Sequence, residues 1–207
     1  MPMTSPDMSL GRLDWVDIAA QLDAEGYALL PGWLDADAAG RLASQAQAAS
    51  LPAPLEAWSR AFYPHLAAIA ERWNDILGAG GRYPAELADS GQVRAQSHLN
   101  RLGVGDYVPL HQRGDGGQVF PLQVVALLSV PGKDFLGGEF VMTEQRPRMQ
   151  SRPMVLPLQL GDAAIIATAE RPVKGSAGYY RVKLRHAISR VREGQRIGME
   201  LSFHDAR

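Results

Sequence analysis

The spacing of hydrophobic positions changes once along this chain. Up to about residue 91 they recur at helical intervals, and beyond it they come in short runs cut by Gly and Pro. Asp14 stands where it can cap a helix in which Trp15, Ile18, Ala19 and Leu22 fall at i, i+3, i+4 and i+7. "EGYALLPGWL" predicts a short strand followed by a Pro-Gly turn. "DADAAGRLASQAQAA" predicts an Ala-rich helix with acids in its first turn, where the helix dipole favours them. A third helix is predicted over "LEAWSRAFYPHLAAIAERWNDIL", with Trp58, Phe62, Leu66, Ile69 and Trp73 near one face and Pro64 as a candidate kink.

The second half reads as strands: "FPLQVVALLSV", "GGEFVMTE", "MVLPLQL", "DAAIIAT", "YYRVKLRHAI" and "RIGMELSFH". Strands at that spacing predict a sandwich or barrel rather than alternating βαβ units. Within "RVKLRHA", Val182, Leu184 and His186 share one face, and Arg181, Lys183 and Arg185 share the other. Ile197, Met199, Leu201 and Phe203 likewise alternate with Arg196, Gly198, Glu200 and Ser202. The expectation is an α+β fold forming one globular unit, with an N-terminal helical region (1–91) packed on a strand-rich core (92–207).

Composition narrows the chemistry. The chain has 207 residues, 46% hydrophobic and 21% charged, enough for a sizeable core. It has no cysteine, so disulfides, thiolate metal sites and cysteine nucleophiles are all excluded. No apolar run is long enough for a membrane helix, and "MPMTSPDMSLGRL" lacks the apolar stretch of a secretory signal. A cytoplasmic location is expected. A formal net charge of −1 supplies no global basic field for nucleic acid, although a local patch remains open.

Among five histidines, His65 reads as a residue of the third helix's apolar side and His204 as a terminal strand residue. His98 has no acid near it in sequence and reads as structural. His111 and His186 differ, because both end strand-like runs and His186 keeps apolar company. Two readings of the pair stand on the residues alone. They are unrelated, or they converge on a divalent metal as two members of a two-histidine, one-carboxylate triad.

Several stretches resemble the Fe(II)/2-oxoglutarate-dependent oxygenase superfamily, in AlkB-like and prolyl-hydroxylase-like forms: "NRLGVGDYVPLHQRGD", "DFLGGEF", "GDAAII" and above all "RHAISRVREGQR". "GYALLPGWLDADAAGRL" is similar to the opening strand and helix of many members, and the nearest likeness is to a bacterial group described as oxygenases acting on alkylated DNA. The resemblance implies a double-stranded β-helix (jelly-roll) core, with Fe(II), 2-oxoglutarate and dioxygen as reactants. Hydroxylation or demethylation of a substrate C–H would follow, with succinate and carbon dioxide released. It implies that His111 and His186 are iron ligands and that Arg196 grips the far carboxylate of 2-oxoglutarate. A guanidinium suits that role because it stays charged and binds carboxylate through paired hydrogen bonds. Asn100 matches a position that helps to hold the co-substrate, and Arg190 is a second candidate anion contact.

The chain departs from this pattern at the third ligand. The superfamily has an acid two residues after the first histidine, and here that residue is Arg113. A unit positive charge about 5 Å from a divalent cation costs about 6–7 kcal/mol at an effective dielectric near 20, so Arg113 must turn away, pair, or face an anion. Three outcomes are open: Asp115 supplies the carboxylate, water or an anion takes its place, or the metal site is lost and the scaffold binds a ligand or partner. On the substrate side, Arg113, Arg146 and Arg148 are the candidates, with Arg152 completing a basic stretch in "TEQRPRMQSRP" that can meet phosphates or be a solvated loop. Alkylated nucleic acid and a small molecule both remain open as substrates. The contrasting expectation is a jelly-roll binding or interaction protein without catalysis.

Overall fold

The computed structural model describes residues 10–46, 53–80, 82–84, 97–112 and 120–203. Helix α1 (Trp15–Glu25) starts at Asp14, whose side chain accepts from the amides of Val16 (3.0 Å) and Asp17 (3.1 Å). It stops at Gly26, which adopts φ 79° where a side chain would meet Leu184 at 2.5 Å. Helix α2 (Ala36–Ser44) is capped by Asp35 and is shorter than its Ala-rich sequence suggests. Residues 47–52 lie outside the described part. Helix α3 (Ala53–Leu77) continues through Pro64 as one α-helix. Among the described residues no helix is long and apolar enough to cross a membrane.

Strands β1 (Tyr27–Leu30), β8 (Ala163–Ala167), β4 (Leu122–Leu127), β12 (Arg196–Leu201) and β2 (His98–Leu102) form an antiparallel major sheet in that order. A facing minor sheet runs β3 (Val108–His111), β10 (Gly178–Ile188), β6 (Phe140–Gln145), β7 (Arg152–Leu156), with β9 (Glu170–Gly175) also paired to β10. A short ribbon joins β5 (Phe135–Gly137) to β11 (Val191–Gly194). This is the expected jelly roll. Two of the anticipated strands are shorter: "GGEFVMTE" becomes a strand of the minor sheet only from Phe140, after Gly137 and Gly138 at positive φ, and "MVLPLQL" ends before Pro157, which has no amide hydrogen for the ladder.

Strand alternation sorts the major sheet. Met199, Leu201 and Phe203 turn toward the helices, where Phe203 lies 6.2 Å from Tyr63 and 5.3 Å from Phe120 between ring centres. Arg196, Gly198, Glu200 and Ser202 take the opposite face, into the lumen between the sheets. At the lumen's far end, the buried Arg171 of β9 pairs with the buried Glu144 of β6. Arg171 also donates to the carbonyls of Asp23 and Ala24 at the end of α1, which ties the helical layer to the minor sheet.

Candidate active site

His186 is 2% exposed on the luminal face of β10, between Leu184 and Ile188 in the same alternation. The β3–β10 register sets His111 directly opposite it. The two rings stand 4.2 Å apart between centres at 57°, and Phe140 stacks against His186 at 5.9 Å and 9°. His111 Nδ1 lies 2.9 Å from the carbonyl of Pro109. A carbonyl only accepts, so Nδ1 carries the hydrogen and Nε2 keeps its lone pair for another acceptor role.

This arrangement fits two positions of a divalent-metal site. Two imidazoles bound at about 2.1 Å and at right angles on one ion have ring centres about 4.6 Å apart, and the observed 4.2 Å is within a few tenths of an ångström of that spacing. Among the described residues no third His, Asp or Glu joins the pair. Arg113 and Asp115, the residues on which completion of the triad turned, lie outside the described residues.

Arg196 is 3% exposed and opens β12, a strand flanked on both sides by β4 and β2. Its Nε donates to the Gly138 carbonyl (2.8 Å) and its Nη1 to Asn100 Oδ1 (3.2 Å). Burial lowers its pKa to about 10, partly countered by the charge of Glu200, so it is cationic at neutral pH. It lines a cleft of about 290 Å³ with Leu127, Phe135, Gly138, Phe140 and Arg192. Phe140 thus serves both the cleft and His186. Met142 is the β6 partner of His186, and Gly138 touches Arg196; the four residue steps from Gly138 to Met142 span about 13 Å at ~3.3 Å each. A five-carbon dicarboxylate with a metal at one end and a guanidinium at the other suits that length.

Asn100 joins Arg196 to Glu200. Its Oδ1 accepts from Arg196, and its Nδ2 donates to Glu200 Oε1 at 3.2 Å, so both ends of the amide are engaged by protein. Arg190 is exposed, and its backbone carbonyl accepts from Gly138. His98, which has no acid near it in sequence, has one near it in space: Glu200 Oε2 lies 3.9 Å from its Nε2 across the β12–β2 pair. The acid comes from a strand far along the chain, which inspection of neighbouring residues could not reveal.

The basic stretch at 146–152 lies beyond the end of β6 opposite to that near Arg196. Arg146 donates to Glu144 (2.7 Å), a hydrogen bond that raises its pKa, and Arg152 pairs with Glu25. Arg148 is exposed in a left-handed turn at φ 61°. Two of the three charges therefore already have carboxylate partners. Glu200 and Arg192 were not anticipated as site residues. The alternation that placed Arg196 in the lumen also places Glu200 there, so the signal for Glu200 was present.

A family model described as "oxygenase, catalysing oxidative methylation of damaged DNA" matches residues 44–206. A Mycobacterium tuberculosis protein, "Uncharacterized protein Rv2227" in strain H37Rv, is 41% identical over 166 residues, covering 75% of this chain and 71% of the relative. The chain belongs to that oxygenase family. The fold agrees. A Pseudomonas putida prolyl-4-hydroxylase superposes with a TM-score of 0.53 at 14% identity, over 94% of this chain and 96% of that one. A Burkholderia pseudomallei oxidoreductase of the 2OG-Fe(II) oxygenase family gives 0.51 at 18% identity, over 95% and 96%.

Proposed function

We propose that this protein is an Fe(II)- and 2-oxoglutarate-dependent oxygenase that oxidises an alkyl group on nucleic acid. The observation that carries the reading is the histidine pair, with His186 buried on the luminal wall and His111 opposite it with Nε2 available. His111 and His186 would hold the iron, with Asp115 or a solvent molecule as third donor. Arg196 would take the far carboxylate of 2-oxoglutarate. Bound there, the metal and co-substrate would supply dioxygen activation, the electrons coming from conversion of 2-oxoglutarate to succinate and carbon dioxide. The chain's own part is to fix the imidazoles, hold one cation at the lumen's end and keep the cleft apolar around Leu127, Phe135 and Phe140. The family description, which names damaged DNA, supports nucleic acid over a small molecule.

Arginine at position 113, where the superfamily has its acid, favours a second reading: a jelly-roll binding protein without turnover. Metal titration followed by turnover separates the two. The proposal expects one Fe(II) or Mn(II) per chain, lost in His186→Ala, and succinate formed faster when a methylated single-stranded oligonucleotide is added. Absence of metal uptake defeats the enzyme reading. Succinate formation indifferent to the oligonucleotide defeats the nucleic-acid assignment alone.

A further inference from the structure

The lumen contains a carboxylate that the proposed reaction leaves without a role. Glu200 lies two alternations along β12 from Arg196, on the same face, with its side chain 12% exposed. Two amides hold it: Asn100 Nδ2 donates to Oε1 (3.2 Å) and Gln123 Nε2 to Oε2 (3.1 Å). Gln123 is itself buried and donates a second time, to Ser202 Oγ at 3.2 Å.

A carboxylate only accepts hydrogen bonds, so Glu200 forces the Asn100 amide to turn its nitrogen toward β12's acid and its oxygen toward Arg196. That oxygen then receives Nη1, while the Gly138 carbonyl receives Nε. Two of the three guanidinium nitrogens are thereby held, and among the described residues Nη2 has no partner, which leaves it for a ligand. Were the Asn100 amide reversed, its NH₂ would face a cation, and the tether would become a repulsion.

We infer that Glu200 is a positioning residue for the co-substrate: acting through Asn100, it orients the Arg196 guanidinium and serves as its resident counter-ion. The inference rests on the proposed role of Arg196 toward 2-oxoglutarate, but the relay itself can be read without any ligand. The other charged groups near this end are Arg192, which lines the same cleft from β11, and Glu139 just before β6, which Arg192 faces; His98 of β2 lies beside Glu200. Arg192 opposes the charge on Arg196, which makes the Glu200 carboxylate the nearer source of support.

Glu200→Gln isolates charge from shape. Gln123 Oε1 is buried and has no hydrogen-bond partner among the described residues, so after rotation of its amide it can accept from the new NH₂. Asn100→Ala removes the tether and leaves both charges. The first measurement is a pH titration of the Arg196 guanidinium carbon by NMR in the ligand-free chain, assigned with Arg196→Lys. The wild-type midpoint is expected at about 10, and Glu200→Gln should lower it by at least about half a pH unit. An unchanged or higher midpoint overturns the relay. The second measurement is the dissociation constant of 2-oxoglutarate with Mn(II) near neutral pH. Asn100→Ala is expected to weaken it by about tenfold with Mn(II) affinity unchanged, and an equal constant overturns the relay. If the wild-type chain binds no 2-oxoglutarate, the proposed function falls, while the titration still decides the relay.

Discussion

Replacing Arg171 by methionine tests how the far end of the lumen is held. Arg171 and Glu144 are 0% and 1% exposed, and Arg171 also satisfies the carbonyls of Asp23 and Ala24. Removing it strands a carboxylate whose remaining ionic partner is the part-exposed Arg146. Breaking one side of a buried pair costs about 3–5 kcal/mol, because the survivor keeps its desolvation without its counter-charge. At about 2–4 °C per kcal/mol for a chain of this size, the melting temperature should fall by about 6–20 °C. A second substitution, Glu144→Leu on top of Arg171→Met, should recover much of that loss, since an apolar pair needs no counter-charge. Calorimetry and urea unfolding of the three variants measure this. A double variant as unstable as the single one would refute the stranded-charge argument, and so would a single-variant loss below about 1 kcal/mol.

Further outcomes follow from the same contacts. In Glu144, burial pushes the pKa up, but hydrogen bonding and charge from Arg146 and Arg171 outweigh it and hold the group below the usual glutamate value. A depressed folded-state pKa means the stabilisation is complete above the ordinary carboxylate range and lost as pH falls through the depressed value; the stability gap between wild type and Arg171→Met, read by urea unfolding, should therefore narrow as pH falls through that range. Gly138→Ala puts a methyl 2.9 Å from Arg196 Cδ at φ 66°, so 2-oxoglutarate affinity should fall by about tenfold while metal binding, read by Mn(II) titration, is retained. If nucleic acid touches the 146–152 turn, Arg148→Ala should reduce the salt dependence of oligonucleotide binding more than Arg152→Ala, because Arg152 is already paired with Glu25. Equal slopes would remove that turn from the interface.

Periodicity carried much of the fold. The luminal placement of His186 and Arg196 followed from counting residues by twos, because a strand with one face in a core cannot shift register without exposing its apolar set. The cap of α1 was legible for a similar local reason, since Asp14 binds amides within the helix's own first turn. Strands β9 and β11 were not anticipated. Each is short and rich in polar residues; β9 is held as a hairpin with the next strand, β10, and β11 by pairing with β5, distant in sequence. The partners of Arg196 were hidden for the same cause. Asn100 and Glu200 reach it only because β2 and β12 are neighbours in the sheet, and the Arg171–Glu144 pair exists only because β9 and β6 flank β10. Side-chain charge alone also overstated the basic stretch, since Arg146 and Arg152 meet acids from elsewhere in the chain or two residues away.

The proposed site holds a metal on His111 and His186 and takes 2-oxoglutarate with Arg196 at its far end. Anaerobic titration of Fe(II)-loaded protein with 2-oxoglutarate tests it most directly, through the weak visible charge-transfer band of the chelated metal. A saturable band at one equivalent per chain is expected, abolished in His186→Ala and requiring much higher 2-oxoglutarate in Arg196→Met. A flat spectrum from the wild-type chain, or a band indifferent to both substitutions, would contradict it.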